Sequence, residues 1–269
     1  MRGGMLESLV VAVASLFAGF VDSIVGGGGL ILIPALLATF PTAPPATLFG
    51  TNKAAAVCGT ALAARQYAQR VTLDWRFLVP AAIAAAAGSG MGAYVVARVP
   101  GGDLRKALPF LLVVLLIYTL LDKRLGQSTE RVHEPAPRWL GVSIGGAVGF
   151  YDGFFGPGTG SFFIFLLVRL VGYDFLRASA SAKLLNVATN LSALALFVSQ
   201  GHIWWRQAAL MAVANVLGSL LGTRLALRGG AGFVRKVFLL VVCALILRTG
   251  YDGFLRPAPK PVANALTRS

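Results

Sequence analysis

Four charged residues stand inside otherwise apolar stretches: Asp22 and Lys53 in the first half of the chain, Asp152 and Lys183 in the second. An ionisable group held among apolar residues at membrane depth is costly, and it marks a ligand, an ion path or a partner charge. Each aspartate is followed by a glycine cluster, Gly26-Gly27-Gly28-Gly29 in one half and Gly156-Pro157-Gly158-Thr159-Gly160 in the other. Glycine lets a ligand approach the backbone closely. A helix that opens after such a break presents free N–H groups and its positive dipole end, which together suit an anion. Each lysine lies in a polar stretch, Thr51-Asn52-Lys53 or Ser181-Ala182-Lys183, and the second continues to Asn186, Thr189 and Asn190. Helical spacing places 183, 186 and 190 on one face. Ammonium groups, amides and open backbone N–H groups are the donors a small oxyanion needs.

Two readings of these residues stand side by side. In one, Lys53 and Lys183 attract an anion, and Gly26, Gly28, Gly156, Gly158 and Thr159 offer it backbone donors. Asn52, Asn186 and Asn190 then orient it, while Asp22 and Asp152 hold the lysines or carry a coupling proton. In the other, each half locks its own break with an ion pair, Asp22 with Lys53 and Asp152 with Lys183. Interhelical hydrogen bonding also recruits Asn and Thr in membranes.

The elements that carry these groups follow from composition. The 269 residues are 57% hydrophobic and 13% charged, with a mean hydropathy of +0.75. Soluble domains carry about 25% charged residues, so a soluble enzyme, a secreted disulfide scaffold and a disordered chain are excluded. The chain reads as an all-α integral membrane protein. The net charge of +14 comes from basic residues placed singly or in pairs between apolar runs. That placement fits orientation signals and lipid headgroups rather than nucleic acid. The basic, apolar N-terminus lacks a convincing cleavage pattern and reads as mature protein.

One half of the sequence superimposes on the other at a constant offset of 130 positions, the step from Lys53 to Lys183. Gly19, Phe20 and Asp22 meet Gly149, Phe150 and Asp152, Trp75-Arg76 meets Trp205-Arg206, and Gly88-Ser89-x-x-Gly92 meets Gly218-Ser219-x-x-Gly222. Each repeat reads as five helical segments, at 5–24, 30–40, 47–68, 75–98 and 107–122, then 139–154, 161–171, 176–198, 205–228 and 235–252. The expected organisation is a first repeat over 1–122, a linker over 123–138, a second repeat over 139–255 and a loose tail over 256–269. A second segment of eleven residues rises about 17 Å, short of the roughly 30 Å of hydrocarbon. The glycine clusters are therefore expected to break the helix, as broken or re-entrant segments, giving about 8–10 membrane segments. Matching breaks in two halves point to a transporter's binding site. If segments one and two count separately the repeats are inverted; if they form one broken helix the repeats are parallel. The distribution of basic loop residues leans to inversion.

Nothing else in the chain suggests chemistry. Cys58 and Cys243 lie in apolar runs without CxxC spacing, and His133 and His202 have no partner spacing, so no metal, disulfide or cofactor is expected. No nucleophile–base set is visible, which argues against an enzyme. The paired Gly-xxx-Gly stretches read as packing motifs. Trp75, Trp204 and Trp205, at segment ends, read as interfacial anchors.

GGGGLILIP at 26–34 and GTNKAAAVCGT at 50–60 resemble the two signatures of the TauE/SafE sulfite-exporter family, also called the toluene sulfonate uptake permease family. GFYDGFFGPGTGSFF at 149–163 with SAKLLNVATNLSALALF at 181–197 is the closer match. The resemblance runs from about residue 8 to 252. It implies a multi-pass protein of the cytoplasmic (inner) membrane that moves sulfite, sulfonates such as sulfoacetate, or related small organosulfur anions, as a proton-coupled or gradient-driven exporter. It carries the family's motif residues onto Asp22, Gly26, Gly28 and Lys53, and onto Asp152, Gly156, Gly158 and Lys183. Ala182 stands where half one has Asn52, and Pro157 interrupts the second glycine run, so the half-sites differ. A passive anion channel, a carrier for a small carboxylate or other anion, and a homo-oligomeric assembly stay open.

Overall fold

The computed structural model describes residues 2–99 and 137–254, and among them every element is a helix. The expected fifth segment at 107–122, His133, most of the linker and the tail lie outside the described residues, as do the side chains from 241 onward. The first half supplies α1 (Arg2–Val25), α2 (Gly29–Thr39), α3 (Pro45–Ala68) and α4 (Trp75–Val96). The second supplies α5 (Arg138–Phe154), α6 (Thr159–Leu166), α7 (Phe175–Ser199) and α8 (Trp205–Phe254). A π-helical turn, Leu167–Val171, extends α6 and ends at left-handed Gly172. α8 departs from helical geometry at Gly230, near the end of the expected fourth segment.

Apolar side chains favour these helices because a helix satisfies its own backbone where no water can. The ends are set by short polar signals. Asp74 accepts the Phe77 N–H at the start of α4, and Asp174 accepts those of Leu176 and Arg177 at the start of α7. Pro45 opens α3, where its missing N–H costs nothing. Among the described residues, four helices are long and apolar enough to cross a membrane: Gly4–Val25, Trp75–Val96, Phe175–Ser199 and Trp205–Val234. α3 has 24 residues but carries Asn52, Lys53, Arg65 and Gln66. Its buried face takes in Thr47, Thr51, Asn52, Lys53 and Thr60, so protein rather than lipid surrounds most of its polar groups.

Glycine decides which helices touch. Along α4 and α5, a Cβ on Gly88 or Gly92 would strike the α5 backbone, and one on Gly145, Gly149 or Gly153 would strike that of α4. Along α1 and α8, Gly19 lies against Asn215 O, Gly218 against Leu16 O, and Gly222 against Phe20 O. Small residues permit this approach where no hydrophobic effect drives helices together. The contacts also fix direction. Ser8 meets Gln207, Ser15 meets Met211, and Phe20 meets Gly218 and Gly222, so α1 and α8 run parallel. Phe77 meets Gly141, Ala81 meets Gly145 and Ala85 meets Gly149, so α4 and α5 run parallel as well. α3 follows α8, from Thr51 beside Trp204 to Gly59 beside Ser219.

The outward residues Leu9, Val13 and Phe17 of α1, Ile83 and Met91 of α4, and Val213, Leu217 and Leu221 of α8 form exposed apolar stripes. Trp75 and Trp205 are exposed at helix starts, as expected of interfacial anchors, and so is Trp139. Trp204 is not an anchor. It is half-buried, meets Phe40 edge-on at 5.2 Å, and its backbone N–H donates to Thr51 Oγ1. The loop before α8 folds inward onto the end of α2, and a tryptophan at a segment end then packs instead of floating at the surface.

Candidate functional site

Two interruptions converge at the centre of the bundle. α1 ends at Val25 and α2 starts at Gly29; α5 ends at Phe154 and α6 starts at Thr159. Gly26 (φ +76°), Gly156 (φ +91°) and Gly158 (φ +80°) occupy the left-handed region that glycine tolerates. The two breaks cross backbone to backbone: a Cβ on Gly26 would collide with Gly160, and one on Gly160 with Gly26. Ser161 Oγ donates to Val25 O across the crossing at 2.9 Å. On the second strand of the crossing, Thr159 Oγ1 donates to Gly156 O and Tyr151 Oη to Pro157 O.

The charged side chains meet here with their partners exchanged relative to expectation. Lys53 Nζ pairs with Asp152 at 2.5 Å, and Lys183 Nζ with Asp22 at 3.0 Å. The pairs within each half, Asp22 with Lys53 and Asp152 with Lys183, do not form. The reason is the crossing: each break projects past the other and delivers its aspartate to the opposite half's long helix. A Cβ on Gly156 would lie only 3.6 Å from Lys53 Nζ. Two ammonium groups and two carboxylates leave this cluster formally neutral.

The two pairs have different surroundings. The Lys53 and Asp152 side chains are each 5% exposed. Lys183 is fully buried, but the Asp22 side chain is 17% exposed. Asp22 also receives Thr60 Oγ1 and the Gly28 N–H, each at 3.4 Å. The expected anion seat at the start of α2 thus holds a carboxylate of the chain itself.

The remaining expected residues surround this cluster. Asn52, Asn186 and Asn190 are all buried. The Asn186 amide lies against Gly160 at the crossing, yet its Oδ1 has no hydrogen-bond partner among the described residues. The hydroxyl of Ser181, fully buried two residues before Lys183, is likewise unpartnered. A buried polar atom left unpaired costs free energy and calls for an explanation. Gly28 keeps ordinary helical dihedrals, so its place depends on close packing against Ala18 O and Asp22 rather than on an unusual φ. Thr60 and Ser161 are not among the site residues that the sequence pattern marks. Thr60 was nevertheless readable, since the offset of 130 places it on Asn190. No group of three or more potential metal ligands occurs among the described residues.

A family model described as "Sulfite exporter TauE/SafE" matches residues 11–249. A probable membrane transporter protein, ORF9, of Sinorhizobium sp is 38% identical over 236 residues, covering 88% of this chain and 89% of that one. The probable membrane transporter protein YfcA of Escherichia coli strain K12 is 38% identical over 255 residues, 93% of each chain. A probable membrane transporter protein of Haemophilus influenzae is 34% identical over 235 residues, covering 87% and 91%. No solved structure matches the chain.

Proposed function

The chain belongs to the sulfite exporter TauE/SafE family, membrane transporters rather than enzymes, and from that premise we propose that it is a carrier of small sulfur oxyanions. Sulfite and sulfonates such as sulfoacetate are the proposed cargo, moved out across the cytoplasmic membrane under a proton or substrate gradient. The observation that carries this reading is the burial of Lys53 and Lys183 where two glycine breaks cross. Lys53 and Lys183 attract the anion, and the break at Gly26 and Gly28 and that at Gly156, Gly158 and Thr159 surround its oxygens. Asn52, Asn186 and Asn190 set its orientation.

The reading includes two inverted repeats, 1–122 and 139–255, joined by the linker. Its support is the recurrence of contacts with the halves exchanged. Gly19 faces Asn215 as Gly149 faces Ala85, and Gly218 faces Leu16 as Gly88 faces Gly146. Ser219 donates to Gly59 O as Ser89 donates to Thr189 O. Each of these relations repeats at the sequence offset of 130. The reading also makes α1–α2 and α5–α6 re-entrant pairs. Phe40, after α2, meets Trp204 edge-on at the end where α1 begins, and Tyr173, after α6, meets Phe77 edge-on at the end where α5 begins.

The test is thermal stability of the detergent-purified full chain with sulfite, sulfate, thiosulfate, sulfoacetate, taurine and chloride. Specific binding at 100 times the Kd stabilises by about 2.7 kcal/mol. The expected result is a shift with one or more sulfur oxyanions that disappears in Lys53→Ala and in Lys183→Ala. Undiminished binding in both variants would remove the lysines from the site. A passive channel lined by the same donors is separated by flux in proteoliposomes, which a proton gradient would then leave unchanged.

A further inference from the structure

We propose that Asp22 is the moving part of the site: its carboxylate occupies the anion seat in the empty transporter, and a proton on Asp22 releases that seat to the substrate. The inference rests on the transport reading above and assigns its coupling to one residue. Asp22 accepts from Lys183 Nζ, Thr60 Oγ1 and the Gly28 N–H. An ammonium, a hydroxyl and a helix-start amide form the donor set that an oxyanion would need. Asp152 accepts from Lys53 alone among the described residues, in a pair closed to solvent. Of the four charged groups, Asp22 is the most exposed, at 17%. At the crossing of the two breaks, against Gly160, the unpartnered Asn186 Oδ1, in a residue 94% buried, supplies an acceptor that nothing among the described residues satisfies. A bound protonated group or substrate hydrogen would satisfy it.

An O–H bond forms on Asp22, its ion pair with Lys183 breaks, and Lys183 pairs with the incoming anion. One proton therefore enters the cluster with each anion, which offsets the whole charge of a monovalent anion and one of the two charges of a divalent one. The groups that face Asp22 are few. α7 brings Lys183; α3 brings Thr60 and Tyr67, the latter bonded to Ser23 O; α2 and α6 bring no titratable residue; and Arg224 and Arg228 of α8 are exposed. The Lys53–Asp152 pair then stays closed while the Asp22 pair opens, so Lys183 meets the anion directly and Lys53 acts on it from within its pair.

The experiment measures the Kd of the full chain for sulfoacetate, sulfate and thiosulfate across neutral pH, where these anions remain ionised and cannot themselves supply the proton. In the unmodified protein the Kd should weaken about tenfold per unit rise in pH while Asp22 is ionised, the signature of one proton bound with each anion. Asp22→Asn, a permanently neutral side chain, should bind at least as tightly as the unmodified protein at its lowest pH and lose the slope. Asp22→Glu should keep the slope, and so should Asp152→Asn, whatever its affinity. A purely structural Asp22 would lower the melting temperature on mutation and leave the slope in place, which would overturn the proposal. So would a pH-independent Kd in the unmodified protein, or a slope lost in Asp152→Asn and kept in Asp22→Asn. Failure of the unmodified protein to bind any of the three anions would overturn the transport reading, and this inference with it.

Discussion

The two ion pairs at the crossing should differ in what their loss costs. Lys53→Ala strips Asp152 of its partner in a pair that solvent barely reaches. Breaking such a pair costs about 3–5 kcal/mol, because it leaves a buried charge uncompensated. Lys183→Ala leaves Asp22 with Thr60, the Gly28 N–H and a path to solvent, so its melting temperature should fall less. Lys53→Met combined with Asp152→Asn should recover most of the loss of Lys53→Ala, since both charges then go together. Melting curves of the three variants check the order, and a larger fall for Lys183→Ala would contradict it. The four charged residues were legible in the sequence because charge is rare in apolar runs, and helix rise put each lysine near the depth of a break. Their partners were not legible. Rise along a helix gives depth, and both breaks lie at the same depth, so nothing local separates Asp22 from Asp152 as the partner of Lys53. Only the crossing of Gly26 and Gly160, a contact between residues far apart in the chain, makes that choice.

At the scale of the helices, backbone contact through glycine is what sets the spacing, and neighbouring glycines on α5 test it within one helix. A Cβ on Gly149 would run into the backbone of Ala85, whereas one on Gly146, three residues earlier, would meet nothing within 4 Å. Gly149→Ala is expected to cost about 1–3 kcal/mol by overpacking. Gly146→Ala should stay within about 0.5 kcal/mol of the unmodified protein. Equal melting temperatures for the two would show that α4 and α5 do not pack at this distance. Most helix limits could be read from run length and from Gly and Pro: 75–98 was expected where α4 is Trp75–Val96, and 176–198 where α7 is Phe175–Ser199. Two features could not. The π turn after α6 has no distinctive composition in Leu167–Val171. A tryptophan opening a segment reads the same whether it stays exposed, as Trp205 does, or meets a neighbouring ring, as Trp204 does.

Across the whole molecule, helix direction sorts the basic residues whose distribution among loops leans to inversion in the sequence. α1, α3 and α8 run one way. The short connections at 69–74 and 200–204 turn α4 and α7 the other way, and α5 runs with α4. Among the described residues from 4 to 229, Arg65, Arg70, Arg76, Arg138, Arg169, Arg177, Arg224 and Arg228 then fall toward one end of the bundle, and Arg98 and Arg206 toward the other. Positive charge near helix ends is retained on the cytoplasmic side, so the connection at 69–74 should be cytoplasmic and that at 200–204 should face outward. The two are equivalent positions of the repeats, and parallel repeats would put them on the same side. Arg70 and Gln200 are both exposed and outside the helices, so each tolerates a cysteine in a chain carrying Cys58→Ser and Cys243→Ser. In intact cells a membrane-impermeant maleimide should label Gln200→Cys, and it should reach Arg70→Cys only after permeabilisation. Labelling of both from outside would defeat the inversion. Labelling of Arg70→Cys alone would keep the inversion and reverse the orientation, placing the arginine-rich end outside against the charge rule.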